Sequence, residues 1–276
     1  MAELQVAGLV HVYPDGGVRA LDGVDLRIGA GERVALIGQN GSGKTTLVRH
    51  LNGLLRPSEG SVTLDGTDAA ALSVARLAAS VGLVFQDPDR QVFAGSVRSE
   101  VEFGPRNLGR SGGELRDAVA AALAATGLEG EERTNPYDLG GSRRKLLALA
   151  SVLAMRTPVL VLDEPTTGQD ARGVERVRSV VEEVSSAGRT VIAISHDMRF
   201  VAETFERVVV MRAGRVILDA PPAEVFGKAS WAELESTYLE PPLAAVVGER
   251  MGLGSTPTDR ALVGALGRSD GGEQPA

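Results

Sequence analysis

The residues best placed to do chemistry lie in Gly38-Gln39-Asn40-Gly41-Ser42-Gly43-Lys44-Thr45-Thr46, which fits the spacing G-x-x-x-x-G-K-[ST]. The apolar run Val34-Ala35-Leu36-Ile37 precedes it and the helix-prone Leu47-Val48-Arg49-His50-Leu51 follows. Strand, glycine-rich loop and helix in that order form the context in which such a loop cradles phosphate. Gly38, Gly41 and Gly43 admit positive φ, so the main-chain N–H groups around Asn40 and Ser42 can turn inward as an anion nest. The positive end of the following helix adds to that field. Lys44 is then expected to reach the β- and γ-phosphates of a nucleoside triphosphate, with the Thr45 hydroxyl on Mg²⁺ and Thr46 among the nucleotide contacts.

A second constellation falls at the ends of apolar runs. Val159-Leu160-Val161-Leu162 leads straight into Asp163-Glu164, which predicts Asp163 in the Mg²⁺ shell and Glu164 as the base that activates water. Thr190–Ile194 ends in Ser195-His196-Asp197, and Val81–Phe85 exits into Gln86. Gln86, Glu164 and His196 therefore converge at the carboxyl edge of a sheet, where α/β proteins collect ligands. Tyr13 stands just before the turn Pro14-Asp15-Gly16-Gly17; it is either a ring for stacking on a purine base or an ordinary half-buried strand aromatic.

These groups need a frame, and 276 residues at 43% hydrophobic content suffice for one or two domains with a real core. No apolar run reaches the roughly 18 residues of a membrane span, and Met1-Ala2-Glu3-Leu4 does not open a signal peptide, so a cytosolic chain is expected. The absence of cysteine excludes disulfides and thiolate metal sites, and His11, His50 and His196 are too scattered for a metal cluster. A net charge of −7 argues against a nucleic-acid backbone as the main partner. Short runs at Leu4–Val10, Val18–Leu21 and Val24–Ile28 predict a small antiparallel β layer. From Val97 to Met155 the pattern is mostly helical: a first helix to Phe103 broken by Gly104-Pro105, an alanine-rich helix over Gly113–Thr126, a loop at Asn135-Pro136-Tyr137-Asp138, and a third helix from Gly141. Val208–Met211 and Arg215–Leu218 read as a hairpin, followed by short helices and a polar end, Gly267–Ala276, expected to be disordered.

Phosphate loop, Gln after a strand, helical insertion, Asp-Glu at a strand end and His after a strand: this order resembles the ABC-type ATPases, from about Leu4 to Phe226. The resemblance implies a P-loop α/β fold with a mixed sheet, an N-terminal antiparallel β layer and a helical subdomain over about 87–155. Residues 1–227 would form the nucleotide-binding domain and 228–276 a short helical extension. It also implies Gln86 as a coupling residue and Mg²⁺ ligand, Glu164 as catalytic base, His196 as γ-phosphate switch and Tyr13 as base-stacking ring. Phe85-Gln86-Asp87-Pro88-Asp89-Arg90-Gln91-Val92-Phe93 and Val101-Glu102-Phe103-Gly104-Pro105-Arg106-Asn107-Leu108-Gly109 look like the energy-coupling-factor and cobalt/nickel importer branch, as do Glu240-Pro241-Pro242 and Gly252-Leu253. That branch implies a peripheral subunit on the cytoplasmic face of the cell membrane, hydrolysing ATP to energise uptake of a vitamin or transition-metal ion. Its partners would be a second ATPase, a transmembrane coupling protein and a small membrane substrate-binding subunit, with no nucleic acid. A soluble ABC-type ATPase of DNA repair or chromosome maintenance is the alternative, but Lys44 to Gly141 leaves no room for its long coiled coil.

Two departures from the family pattern stand out. The signature Leu-Ser-Gly-Gly-Gln aligns with Leu139-Gly140-Gly141-Ser142-Arg143, losing the serine hydroxyl expected to meet a partner's γ-phosphate. The dimer-contact loop reads Thr167-Gly168-Gln169-Asp170, with Gln169 in the place of leucine. A non-identical partner ATPase, whose own signature completes the Lys44 site, is the expectation that follows. Beside the Gln86 loop, Asp87, Asp89, Glu100 and Glu102 are expected to wall a groove for a basic helix of the coupling protein.

Overall fold

The computed structural model describes residues 2–270. Strand β1 (Leu4–Val12) pairs antiparallel with β2 (Arg19–Ile28), and the chain then enters β3 (Arg33–Ile37) and helix α1 (Lys44–Leu51). β4 (Glu59–Leu64) returns to the other edge of β1 and carries the short β5 (Thr67–Asp68), giving an antiparallel layer in the order β2-β1-β4-β5. α2 (Val74–Ser80) feeds β6 (Val81–Val84). Three helices then form a separate layer: α3 (Val97–Asn107), α4 (Gly112–Thr126) and α5 (Gly141–Leu153). β7 (Val159–Asp163), α6 (Ala171–Ser186), β8 (Thr190–Ile194), α7 (Met198–Thr204), β9 (Arg207–Arg212) and β10 (Arg215–Ala220) complete the second sheet. Its order is β10-β9-β3-β8-β7-β6, parallel except for the β9–β10 hairpin, and so mixed as expected. The chain ends in α8 (Pro222–Val225), α9 (Trp231–Glu235), α10 (Leu243–Arg250) and α11 (Asp259–Asp270).

The central strands β3, β7 and β8 each carry four consecutive apolar residues because both faces are covered. Val34 and Leu36 of β3, with Val159, Val161, Ile192 and Ile194, pack toward the antiparallel layer and α1. The alternate residues Ala35, Ile37, Leu160, Leu162, Val191 and Ala193 pack toward α5, α6 and α7. The sheet is thereby clamped between two cores, and its carboxyl edge is held still for the site.

The structure corrects the sequence reading at four places. The runs Val18–Leu21 and Val24–Ile28 are one strand, because Gly23 (φ 74°) absorbs a bulge between the Leu9–Val24 and Val10–Asp22 pairs. Gly104-Pro105 does not end α3. Pro105 falls near its end and forfeits one helical hydrogen bond, while Gly104 lets the helix lie against Met155, where a Cβ would come within 2.6 Å of Cγ. Asn135–Asp138, expected as a plain loop, holds a 3₁₀ turn whose Tyr137 N–H is capped by the Asn135 side chain. Residues 267–270 of the supposed disordered end are the last turn of α11; residues 271–276 lie outside the described residues.

Candidate nucleotide site

Gly38 and Gly43 are the two glycines that the loop between β3 and α1 requires. At Gly38 (φ 145°) a Cβ would lie 2.1 Å from the Met211 carbonyl oxygen, and at Gly43 (φ 102°) 2.5 Å from that of Ala20. Gly43 is also the left-handed cap from which α1 begins. The loop is thus wedged between β9 and β2, and its helix starts at the mouth of a cleft of about 450 Å³. Asn40, Gly41, Ser42, Gly43, Lys44, Thr45 and Thr46 line that cleft, together with Tyr13, Gln86, Asp163, Glu164 and His196. Thirteen candidate residues were expected to form the cis nucleotide and metal site, and of these only Gly38 sits behind the wall.

Lys44 is buried and folded back on its own loop, donating to the carbonyls of Gly38 (2.5 Å) and Gln39 (2.9 Å). Burial lowers its pKa, while Glu164 and Asp163 hold the charge in place. Thr45 donates to Asp163 Oδ2 at 3.3 Å, across two elements 118 residues apart in sequence. Burial raises the pKa of Asp163 and of Glu164. The Tyr13 hydroxyl lies 3.1 Å from Thr46 Oγ1, and its ring meets His11 edge-on. Gln86 is exposed at the rim.

Glu164 is the most constrained of these groups. Its φ of 52° is left-handed, a conformation that costs a non-glycine residue about 1–2 kcal/mol. Its N–H donates to Ile194 O at 3.0 Å, and Oε2 accepts from the Thr167 hydroxyl and the His196 N–H, both at 3.3 Å. Oε1 stands 3.0 Å from His196 Nε2 without hydrogen-bond alignment, and is a buried oxygen with no hydrogen-bond partner among the described residues. Burial first, and Lys44 second, lower the pKa of His196, so the contact is not an ion pair near neutral pH. Oxygen donors on Thr45 and Asp163, with a spare carboxylate oxygen beside them, fit a hard cation such as Mg²⁺.

The signature residues stand outside this cleft. Gly140 caps α5 with no side-chain hydrogen bond, and Gly141 is its first residue. Ser142 donates to Gln169 Oε1 at 2.6 Å, and Gln169 Nε2 donates back to the Ser142 carbonyl at 3.1 Å. Arg143 is paired with Glu131 at 2.8 Å. Sequence reasoning had no sign that the two departures from the family pattern touch, since the residues are 27 positions apart. It also passed over Lys145, whose ammonium donates to Glu164 O (2.9 Å) and Thr167 O (2.6 Å). Gln91 was missed too: it accepts from the Phe85 N–H and donates to Ala148 O, tying β6 to α5.

The expected acidic groove is not there. Glu100 is only 2% exposed and accepts the N–H groups of Phe93 and Ala94 at 3.0 and 2.8 Å. Glu102 is held between Arg98 and Arg106, Asp87 lies 3.6 Å from Arg90, and Asp89 lies 3.2 Å from Arg144. Helical spacing turned Glu100 inward and gave Glu102 its two arginine neighbours, while Asp89 meets Arg144 from α5. What this surface offers instead is apolar: Phe93 and Phe103, 60% and 48% exposed, stack edge-to-face at 4.8 Å.

Behind α1, His50 and His11 are both buried, with Nε2 of the first 3.2 Å from Nδ1 of the second. His50 Nδ1 faces Thr46 O at 2.8 Å and must donate, so its Nε2 accepts from His11 Nδ1. A proton added at His50 Nε2 would face another N–H, and burial lowers the His50 pKa. Below about pH 6.5 the unfolded chain takes up a proton that the folded one refuses, so stability falls as pH drops and is level above that value. Denaturant midpoints at pH 5 and pH 8 should therefore differ more in the native chain than in His50→Gln; equal differences would dismiss the buried pair as the cause.

Comparison with known proteins agrees with this geometry. Residues 21–167 match the ABC transporter family. The energy-coupling factor transporter ATP-binding protein EcfA of Methanothermobacter thermautotrophicus is 41% identical over 86% of this chain and 76% of its own. A putative ABC transporter ATP-binding protein of Caldanaerobacter subterraneus is 41% identical over 90% of this chain, which spans 43% of that relative's length. Among solved structures, cbiO1 of Clostridium perfringens, part of the ABC transporter complex cbiONQ, gives a TM-score of 0.75 at 36% identity, covering 90% of this chain and 98% of that one. The dimeric ATP-binding cassette MJ0796, bound to ADP and Pi after hydrolysis, gives 0.72 at 26% identity over 79% and 98%. The chain belongs to the ABC transporter family, as one of its ATP-binding ATPase subunits.

Proposed function

We propose that this chain is the ATP-hydrolysing subunit of an energy-coupling-factor importer, energising uptake of a vitamin or a transition-metal ion from the cytoplasmic face of the membrane. The observation that carries the catalytic half is the meeting of Lys44, Asp163, Glu164 and His196 in one cleft. The likeness to EcfA and cbiO1 supports the importer half. In this reading the loop from Gly38 to Thr46 grips the phosphates, Tyr13 stacks on the base, and Glu164 takes the proton of the attacking water. His196 and Gln86 meet the γ-phosphate side. Mg²⁺ held by Thr45, Gln86 and Asp163 would offset charge on the phosphates. Two subunits close around ATP, each site capped by the other's α5 N-terminus, and reopening drives the membrane partner.

No helix among the described residues is long and apolar enough to cross a membrane. Phe93 and Phe103, beside the Gln86 loop, supply a docking point for the coupling protein, with the small substrate-binding subunit attached to it. Changing both to aspartate should lower recovery of membrane partners in mild detergent about tenfold, as expected when an aromatic anchor is lost. ATP affinity should stay within about twofold, because the pair lies outside the cleft. Undiminished recovery would remove this face from the interface, and co-purification of nucleic acid instead of membrane proteins would favour the DNA-repair reading. That reading gains nothing from the fold: α3 and α4 span only 11 and 15 residues, and among the described residues no coiled coil leaves the helical layer.

A further inference from the structure

Lys145 lies on the first turns of α5, away from the phosphate loop, yet its ammonium is spent on the main chain of the catalytic strand's exit. It donates to the carbonyl of Glu164 itself and to that of Thr167, three residues on. The same Glu164 carbonyl also receives the Thr167 N–H at 3.4 Å, closing one tight turn under the left-handed Glu164. The Thr167 hydroxyl rises from that turn to Glu164 Oε2. One cation therefore holds both ends of the turn that aims the carboxylate. The Ser142–Gln169 pair ties the same helix to the same loop, but it reaches neither Glu164 nor Thr167. Burial pushes the Lys145 pKa down, against the opposing pull of the Glu164, Asp163 and Asp87 carboxylates.

We infer that Lys145 is a positioning residue for hydrolysis: it acts through the main chain of Glu164, keeping the backbone left-handed and the carboxylate turned toward the γ-phosphate. This rests on Glu164 being the base. A methionine at 145 keeps the length and apolar stem but cannot donate, so Glu164 is freed to relax toward an ordinary backbone. Displacing a catalytic group by about 1 Å costs on the order of a hundredfold. Binding should be untouched, since Lys145 does not line the cleft.

The test is single-turnover hydrolysis by the full chain assembled with its partner proteins, with the complex in excess over Mg-ATP. Lys145→Met should slow the chemical step about 10- to 100-fold while half-saturation by ATP moves less than about twofold. Lys145→Arg, which keeps a charged donor, should recover most of the rate. Hydrogen exchange at the amides of residues 164–169 should quicken in Lys145→Met and not in Lys145→Arg, a readout independent of turnover. Glu164→Gln is the control: if it turns over normally, the base assignment and this inference fall together. If it is inert while Lys145→Met reacts at the native rate, only the role of Lys145 falls. A parallel loss of rate, ATP affinity and thermal stability in Lys145→Met, unrescued by arginine, would reduce Lys145 to a scaffold residue and overturn the proposal.

Discussion

Replacing Glu164 with glutamine should stop hydrolysis, by about 10²- to 10⁴-fold, and leave ATP binding intact. The amide oxygen can still accept from Thr167 and from the His196 N–H, so the left-handed turn and its contacts survive. What is lost is the basic oxygen. Burial raises the Glu164 pKa, which brings its proton affinity toward working pH and makes it a better acceptor than a surface carboxylate. The sign of the pH dependence follows: the rate should climb with pH as Glu164 deprotonates, along a limb above the ordinary carboxylate value. Burial first, and Lys44 second, push the His196 pKa down from its ordinary value. Phosphate release and equilibrium ATP binding, both measured with the partner proteins present, decide the matter. Turnover within a few-fold of native in Glu164→Gln would end the assignment, since a general base contributes far more than that.

The parts of the site legible in the sequence are those whose chemistry is local. The phosphate loop and the Asp163-Glu164 step carry their meaning within a few residues, because a strand exit or a helix start is itself a local event. Side-chain direction on a helix is different. Glu100 and Glu102 are two apart, and only the packed register of α3 shows one sealed beneath Phe93 and the other between two arginines. Gly23 and Gly104 each looked like a break and each proved to be an accommodation, one for a bulge and one for Met155. Both depend on a partner remote in sequence. Lys145 illustrates the same limit in function, since nothing in its neighbours says that its ammonium ends on the carbonyl of Glu164.

The signature gives the second large expectation. Purified alone, this chain should be a poor ATPase, because a homodimer would cap both sites with Gly140-Gly141-Ser142-Arg143. Neither rescue open to that sequence is free in the folded chain: the Ser142 hydroxyl is donated to Gln169, and Arg143 is paired with Glu131. A missing hydrogen bond to a charged phosphate costs about 1.5–3 kcal/mol, or roughly ten- to a hundredfold at each site. Beside a non-identical ATPase with an intact signature, the Lys44 site would recover and the other would bind ATP but turn it over slowly. Because Ser142 and Gln169 bond each other, the two departures from the family pattern are coupled in the structure. Gly173 belongs with them: a Cβ there would meet Gln169 Oε1 at 2.1 Å. Restoring the signature alone, by Gly140→Ser with Ser142→Gly, would leave Gln169 Oε1 without its donor, whereas adding Gln169→Leu removes the need for one. Gly140 is extended and a Cβ on it meets nothing within 4 Å, so serine fits. The triple change should raise the activity of the lone chain about ten- to a hundredfold, and more than the double change does. Brisk hydrolysis by the unaltered chain with no second ATPase present would defeat this account, as would a triple variant no faster than the native protein.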